Sequence, residues 1–275
     1  MFNLYFENLK MIQGGEIMKV EKNTKRVQVD ADPLTTLRRC GGYYECPKSS
    51  GGKRLGPLVG YAGTYNTDDG TQKHWVGDTY VNFAKADEFP RVLDYFAGQV
   101  KKKFKLALSD IDVFCGAPIG GYSFAQTLGS VFDRRVIKAE KKLITLATTE
   151  NREESVMVFG RHNIENGDQV AIVEDVCNNF STTEQLIQLI ESAGGYVRVI
   201  VCFLNRSLNV EDCYQSNQSD TKPVIALARK LIFEYKQEDP WVVVDIALGN
   251  IVWKPKYEWD KLMQAMSRPL LDLQK

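Results

Sequence analysis

Histidine is scarce in this chain: 275 residues include only two, His74 and His162. A serine or cysteine nucleophile needs an imidazole base beside it, so little material exists for that chemistry. The cysteines lack pattern. Six are scattered (Cys40, Cys46, Cys115, Cys177, Cys202, Cys213) with no CxxC spacing. A structural zinc site needs four close donors, so the expected state is reduced thiols packed in the fold and no protein-held metal. An excess of charge of one sign is also missing. Lys plus Arg and Asp plus Glu each total 35, which argues against nucleic acid or an anionic membrane as the main partner. No apolar run approaches the roughly 18 residues that a membrane helix requires. The opening MFNLYFENLK lacks the basic-then-apolar order of a signal peptide. Neither a repeat nor a low-complexity tract is visible. These absences point to a cytoplasmic globular protein, and the 44% hydrophobic and 25% charged content agrees with that.

What the chain does have is alternation. Residues 1–30 are polar and mixed and read as an N-terminal extension; residues 31–275 read as one domain with a core at about 90–246. Glycine-rich stretches between Gly41 and Asp78 predict loops joining short strands. Pro90 opens a helix with Val92, Leu93, Phe96 and Val100 on one face. From Asp112 the period changes. Short strands are predicted at 112–116, 135–138, 169–173, 196–204 and 242–246, and helices at 122–132, 184–193 and 221–234. A hairpin is expected from 142–148 and 154–159 around the polar 149–152 turn. Strands alternating with helices predict an α/β fold, a mainly parallel sheet covered by helices on both faces.

The segment Val170-Ala-Ile-Val-Glu174-Asp175-Val-Cys-Asn178-Asn179-Phe180-Ser181-Thr182-Thr183-Glu184 concentrates the chemistry. A buried strand ends in two adjacent carboxylates, a polar loop follows, and a helix begins. In a parallel sheet, ligands sit at this carboxyl edge. Adjacent carboxylates can accept hydrogen bonds from vicinal sugar hydroxyls. The loop amides, the Ser181 and Thr182 hydroxyls and the positive helix end can hold a phosphate. An acidic strand end followed by an ordinary Ser/Thr helix cap is the other reading of the same residues.

This segment resembles the signature of the type I phosphoribosyltransferases: four apolar residues, two acids, two variable residues, then a loop with hydroxyl groups. Glu174 and Asp175 match the acidic pair, and Ser181 and Thr182 match hydroxyl positions. Asn178-Asn179-Phe180 stands where the family usually has Thr-Thr-Gly or Thr-Ala-Gly. Further segments follow in family order. Gly116-Ala117-Pro-Ile-Gly120-Gly121 looks like the pyrophosphate loop, where glycines admit backbone amides to a diphosphate. Val136-Ile-Lys138-Ala-Glu-Lys141 is similar to the orotate subfamily's Arg-Lys-x-x-Lys run, with Ile137 in the Arg position. Arg206 follows a strand where that subfamily has a base-contacting Arg. Lys73 and Tyr80 lie in a stretch similar to its base-binding segment.

The resemblance implies the transfer of ribose 5-phosphate from 5-phosphoribosyl 1-diphosphate to a nucleobase, orotate or a related pyrimidine, with Mg²⁺ bound mainly through the diphosphate. It implies Lys141 and Asp175 as catalytic. Glu174, Asn178, Asn179, Ser181, Thr182, Ala117, Gly120, Gly121, Lys138, Arg206 and Lys73 would bind substrate. It also implies a homodimer, with Lys141 reaching the neighbouring subunit's site from a mobile loop, and a small base-side subdomain from the chain's N- and C-terminal parts. A phosphoribosyl-binding regulator without catalysis, or an enzyme for another base, stands as the alternative.

Overall fold

The computed structural model describes residues 26–145, 154–217 and 219–272. In chain order the elements are α1 (Pro33–Arg39), β1 (Tyr43–Glu45), β2 (Leu58–Asn66), β3 (Gln72–Gly77), β4 (Thr79–Val81), α2 (Ala84–Asp87), α3 (Pro90–Phe104) and β5 (Val113–Gly116). There follow α4 (Gly121–Phe132), β6 (Arg135–Lys138), β7 (Glu140–Thr145), β8 (Glu154–Val158), β9 (Gln169–Cys177) and α5 (Ser181–Ser192). The chain continues through β10 (Tyr196–Asn205), β11 (Cys213–Tyr214), β12 (Lys222–Arg229), α6 (Val243–Ala247), β13 (Ile251–Val252) and α7 (Trp259–Asp272).

The central sheet has six strands in the order β11-β12-β10-β9-β5-β6. Every pairing in it is parallel except the short β11–β12 edge. Its strands point successive side chains to opposite faces. Phe114, Ala171, Val173, Val201 and Phe203 enter one core with Val92 and Phe96 of α3 and Phe124 and Leu128 of α4. Val113, Cys115, Val170 and Ile172 enter another core with Leu186, Ile187 and Ile190 of α5. The sheet is therefore covered on both faces, which is why its central strands read as continuous apolar runs.

Two expected elements differ. Residues 221–234, expected as a helix, form β12 and the segment after it. The Val224, Ile225, Ala226 and Ala228 backbones pair in register with Ile200, Val201, Cys202 and Leu204 of β10, a pairing that local spacing cannot announce. Residues 242–246, expected as a fifth strand, form the short helix α6 instead. There the Asp239 carbonyl accepts from Val242 N and Val243 N, both at 3.0 Å, and Pro240 presets the backbone for that turn. The hairpin appears as antiparallel β7 and β8; its 146–153 tip lies outside the described residues, as does the extension up to residue 25.

A second layer sits over the carboxyl edge of the sheet. It consists of β2 and β3 with β13 parallel to β2, and the β1–β4 pair. Arg54 joins its parts by ion pairs to Asp78 and Asp245. Burial would raise the Asp78 carboxyl, but hydrogen bonds from Arg54 and Lys48 hold it below its usual range. Trp259 of α7 donates to the Gly41 carbonyl at 2.9 Å and tilts against Tyr80, so the C-terminal segment packs on this layer, as expected.

Candidate functional site

Between the sheet's edge and the overlying layer lies a cleft of about 490 Å³. Its floor is the end of β9, Glu174 to Cys177, and the loop Asn178–Phe180. The first turn of α5 (Ser181, Thr182, Thr183), Pro118, Lys141, Arg206 and Lys256 stand around it, and Tyr61, Thr79, Tyr80 and Val81 come from the layer above.

Glu174 and Asp175 are both deep in this floor. Burial first, and the Asp175 charge second, push the Glu174 carboxyl well above the usual carboxylate range, with Lys141 opposing. Burial also raises Asp175, while the Val176 amide and the charge of Lys256 oppose it. Carboxyl groups so placed gain from any hydroxyl donor or cation that a ligand brings to them. Behind them the half-buried Asp87 is pushed up to about 6, by burial and then by the Asp175 charge.

The 117–121 turn is built against this pair. A Cβ on Gly120 would lie 2.1 Å from Asp175 Oδ2, and one on Gly121 would lie 2.1 Å from the Val173 carbonyl. No side chain fits at either position, so the glycines allow the turn to approach the acidic strand end. The turn contains a cis peptide between Pro118 and Ile119. Ala117 is fully buried, and its amide donates to the Val173 carbonyl at 2.9 Å; Pro118 is the residue of this turn on the cleft wall.

At the loop, Asn179 Oδ1 accepts from the Ser181 amide (3.2 Å) and hydroxyl (3.0 Å), and Asn178 Nδ2 donates to Glu234 Oε1 at 2.9 Å. Phe180 adopts the left-handed region, φ 58°, where glycine is at ease and other residues are strained. Its ring is buried with Cys177, Ile200, Cys202 and Val224 and stacks on Tyr214 at 4.9 Å. Tyr214 in turn donates to Glu184 of α5 at 2.9 Å. Glu184 also accepts from Ser216 Oγ and the Asn217 amide, so it anchors the 214–217 segment to α5 instead of closing a capping box. Thr182 and Thr183 present first-turn amides, which a helix leaves without intrahelical acceptors.

Arg206 is only 9% exposed. Its Nη2 donates to Glu234 Oε1 at 2.7 Å, its guanidinium lies 4.6 Å from the Tyr61 ring centroid, and its Nη1 has no partner among the described residues. An orphaned buried donor costs about 1–3 kcal/mol until an acceptor reaches it. Two expected residues lie elsewhere. Lys73 pairs with Glu238 on the outer end of β3, and Lys138 lies over the Tyr122 ring at 5.5 Å, off the cleft wall. Lys141 lines the cleft of its own chain. The sequence reading missed Lys256, Tyr61, Glu234 and Asp87, which reach the site from distant segments carrying no local motif.

No family model matches the chain. Among curated proteins it is 31% identical over 131 residues to an orotate phosphoribosyltransferase of Caldanaerobacter subterraneus subsp. tengcongensis, covering 47% of this chain and 62% of that one. It is 32% identical over 120 residues to an adenine phosphoribosyltransferase of Clostridium kluyveri, covering 42% and 66%, and 26% identical over 130 residues to a hypoxanthine/guanine phosphoribosyltransferase of Methanothermococcus okinawensis. The chain thus spans less than two thirds of the length of the first two. A solved orotate phosphoribosyltransferase from Aeropyrum pernix aligns at TM-score 0.41 and 12% identity, over 62% of this chain and 87% of that one. Over part of its length the chain is thus similar to curated phosphoribosyltransferases, most of them orotate phosphoribosyltransferases.

Proposed function

We propose that this protein transfers ribose 5-phosphate from 5-phosphoribosyl 1-diphosphate to a nucleobase nitrogen, with an oxo pyrimidine, orotate or a related base such as neutral uracil, as the acceptor. The observation that carries this reading is the Glu174–Asp175 pair on the cleft floor, set between the Gly120–Gly121 turn and the first turn of α5. Glu174 and Asp175 hold the ribose hydroxyls, Thr182 and its neighbours the 5-phosphate, and Lys141 the departing diphosphate as its charge develops. Among the described residues no three His, Cys, Asp or Glu side chains converge. The donor set fits an Mg²⁺ ion carried by the diphosphate and ribose oxygens, with the carboxylate pair fixing the sugar beneath it. Bound there, the ion offsets diphosphate charge. The resemblance in the sequence implies a two-fold homodimer, which we propose with it. The test is pyrophosphate release from the donor with Mg²⁺ across a panel of nucleobases, beside calorimetry of donor binding. Release with any base supports transfer, binding without release assigns a regulator, and neither overturns the reading.

A further inference from the structure

We infer that Glu234 sets base selectivity, making the cleft favour a neutral base with a ring carbonyl over one that carries its own carboxylate. This rests on the phosphoribosyltransferase reading and narrows it. Arg206 is the cation on the cleft wall beside Tyr61. Lys141 and Lys256 also line the cleft, on the side of Glu174 and Asp175. Arg206 is itself committed on one side: Glu234 Oε1 takes its Nη2 at 2.7 Å and also holds Asn178 Nδ2 at 2.9 Å. The other carboxylate felt at Tyr61 is Asp78, which Arg54 and Lys48 already pair. A carboxylate-bearing base would share one guanidinium with Glu234, and like charges that close oppose each other. A neutral oxo base asks for less. Its carbonyl needs one donor, and Nη1 is the donor left without a partner. The relevant substrate class is therefore the neutral oxo bases, of uracil or hypoxanthine type.

Glu234 lies off the cleft wall and acts through Arg206, so it is a positioning residue. The experiment compares kcat/KM for uracil, hypoxanthine, adenine and orotate at saturating donor and Mg²⁺, in the wild type and in Glu234→Gln. The expected result is a neutral oxo base preferred over orotate by the wild type, with that ratio falling roughly tenfold in Glu234→Gln through a lower KM for orotate. Equilibrium dialysis of the same bases against protein loaded with ribose 5-phosphate reads the same ratio where turnover is absent. Arg206→Gln should weaken oxo-base binding in both proteins. A wild type that prefers orotate, or a ratio unmoved by Glu234→Gln, overturns the inference. Loss of donor binding by calorimetry would instead overturn the phosphoribosyl reading itself.

Discussion

Asp87 and Glu174 each feel the charge of Asp175, and the titration of Asp87 has measurable consequences. Asp87 is raised to about 6, by burial and then by Asp175, from an ordinary value of about 4. On raising the pH the unfolded chain releases this proton first, so the fold loses stability between about pH 4 and pH 6 and does not regain it above. Asp87→Asn should therefore be more stable than the wild type at pH 7, by about 1–2 kcal/mol after allowing for its partial exposure to solvent, and equal to it below pH ~4. Urea denaturation at both pH values checks the difference. At the pair itself, replacing Glu174 and Asp175 together by Ala removes two charge-assisted contacts to the ribose, about 1.5–3 kcal/mol each. Calorimetry should show donor binding lost while the circular dichroism spectrum is retained. Unchanged affinity would reduce both residues to strand-end charges.

The loop and helix start at 178–184 decide how a site can tolerate Phe180. Its ring is buried against Tyr214, so Phe180→Gly should trade relief of a left-handed backbone for loss of a buried aromatic. The net effect should be a destabilisation of about 2–3 kcal/mol, with donor affinity near the wild-type value. Tighter donor binding by the Gly variant would show that the ring obstructs the phosphate. Element by element, much was legible in the sequence. Pro90 with its four spaced apolar residues announced α3, and the apolar runs at 112–116 and 169–173 announced central strands, because covered parallel strands need no polar face. The acidic pair at the end of β9 was legible too, being contiguous. What stayed hidden depends on partners far along the chain: β12 reads as helix until it pairs with β10, and Glu234 looks like any surface carboxylate until Arg206 and Asn178 meet it. In the sequence Phe180 shows only as a residue standing where the family's loop has Gly, since nothing local reveals the Tyr214 ring stacked on it.

At the scale of the molecule, the hairpin sets Lys141 on the cleft of its own chain, whereas the family resemblance implied a lysine given to a neighbour. Mixing an inactive Lys141→Ala protein with an inactive Glu174→Ala/Asp175→Ala protein should accordingly restore no activity even after subunit exchange. Recovery of activity would assign the lysine to the partner subunit. The layer above the cleft carries a last consequence. Arg54 reaches Asp245, 191 positions along the chain, and β2 lies beside β13. During synthesis the ribosome emits the floor of the cleft well before the segment that completes its roof. A nascent chain holding residues up to about 230 would carry the upper-wall residues Tyr61, Thr79, Tyr80 and Val81 without Asp245, β13 and Lys256, which join them later. Substrate capture thus has a timing, set by when Asp245 emerges to meet an arginine that has waited through most of translation.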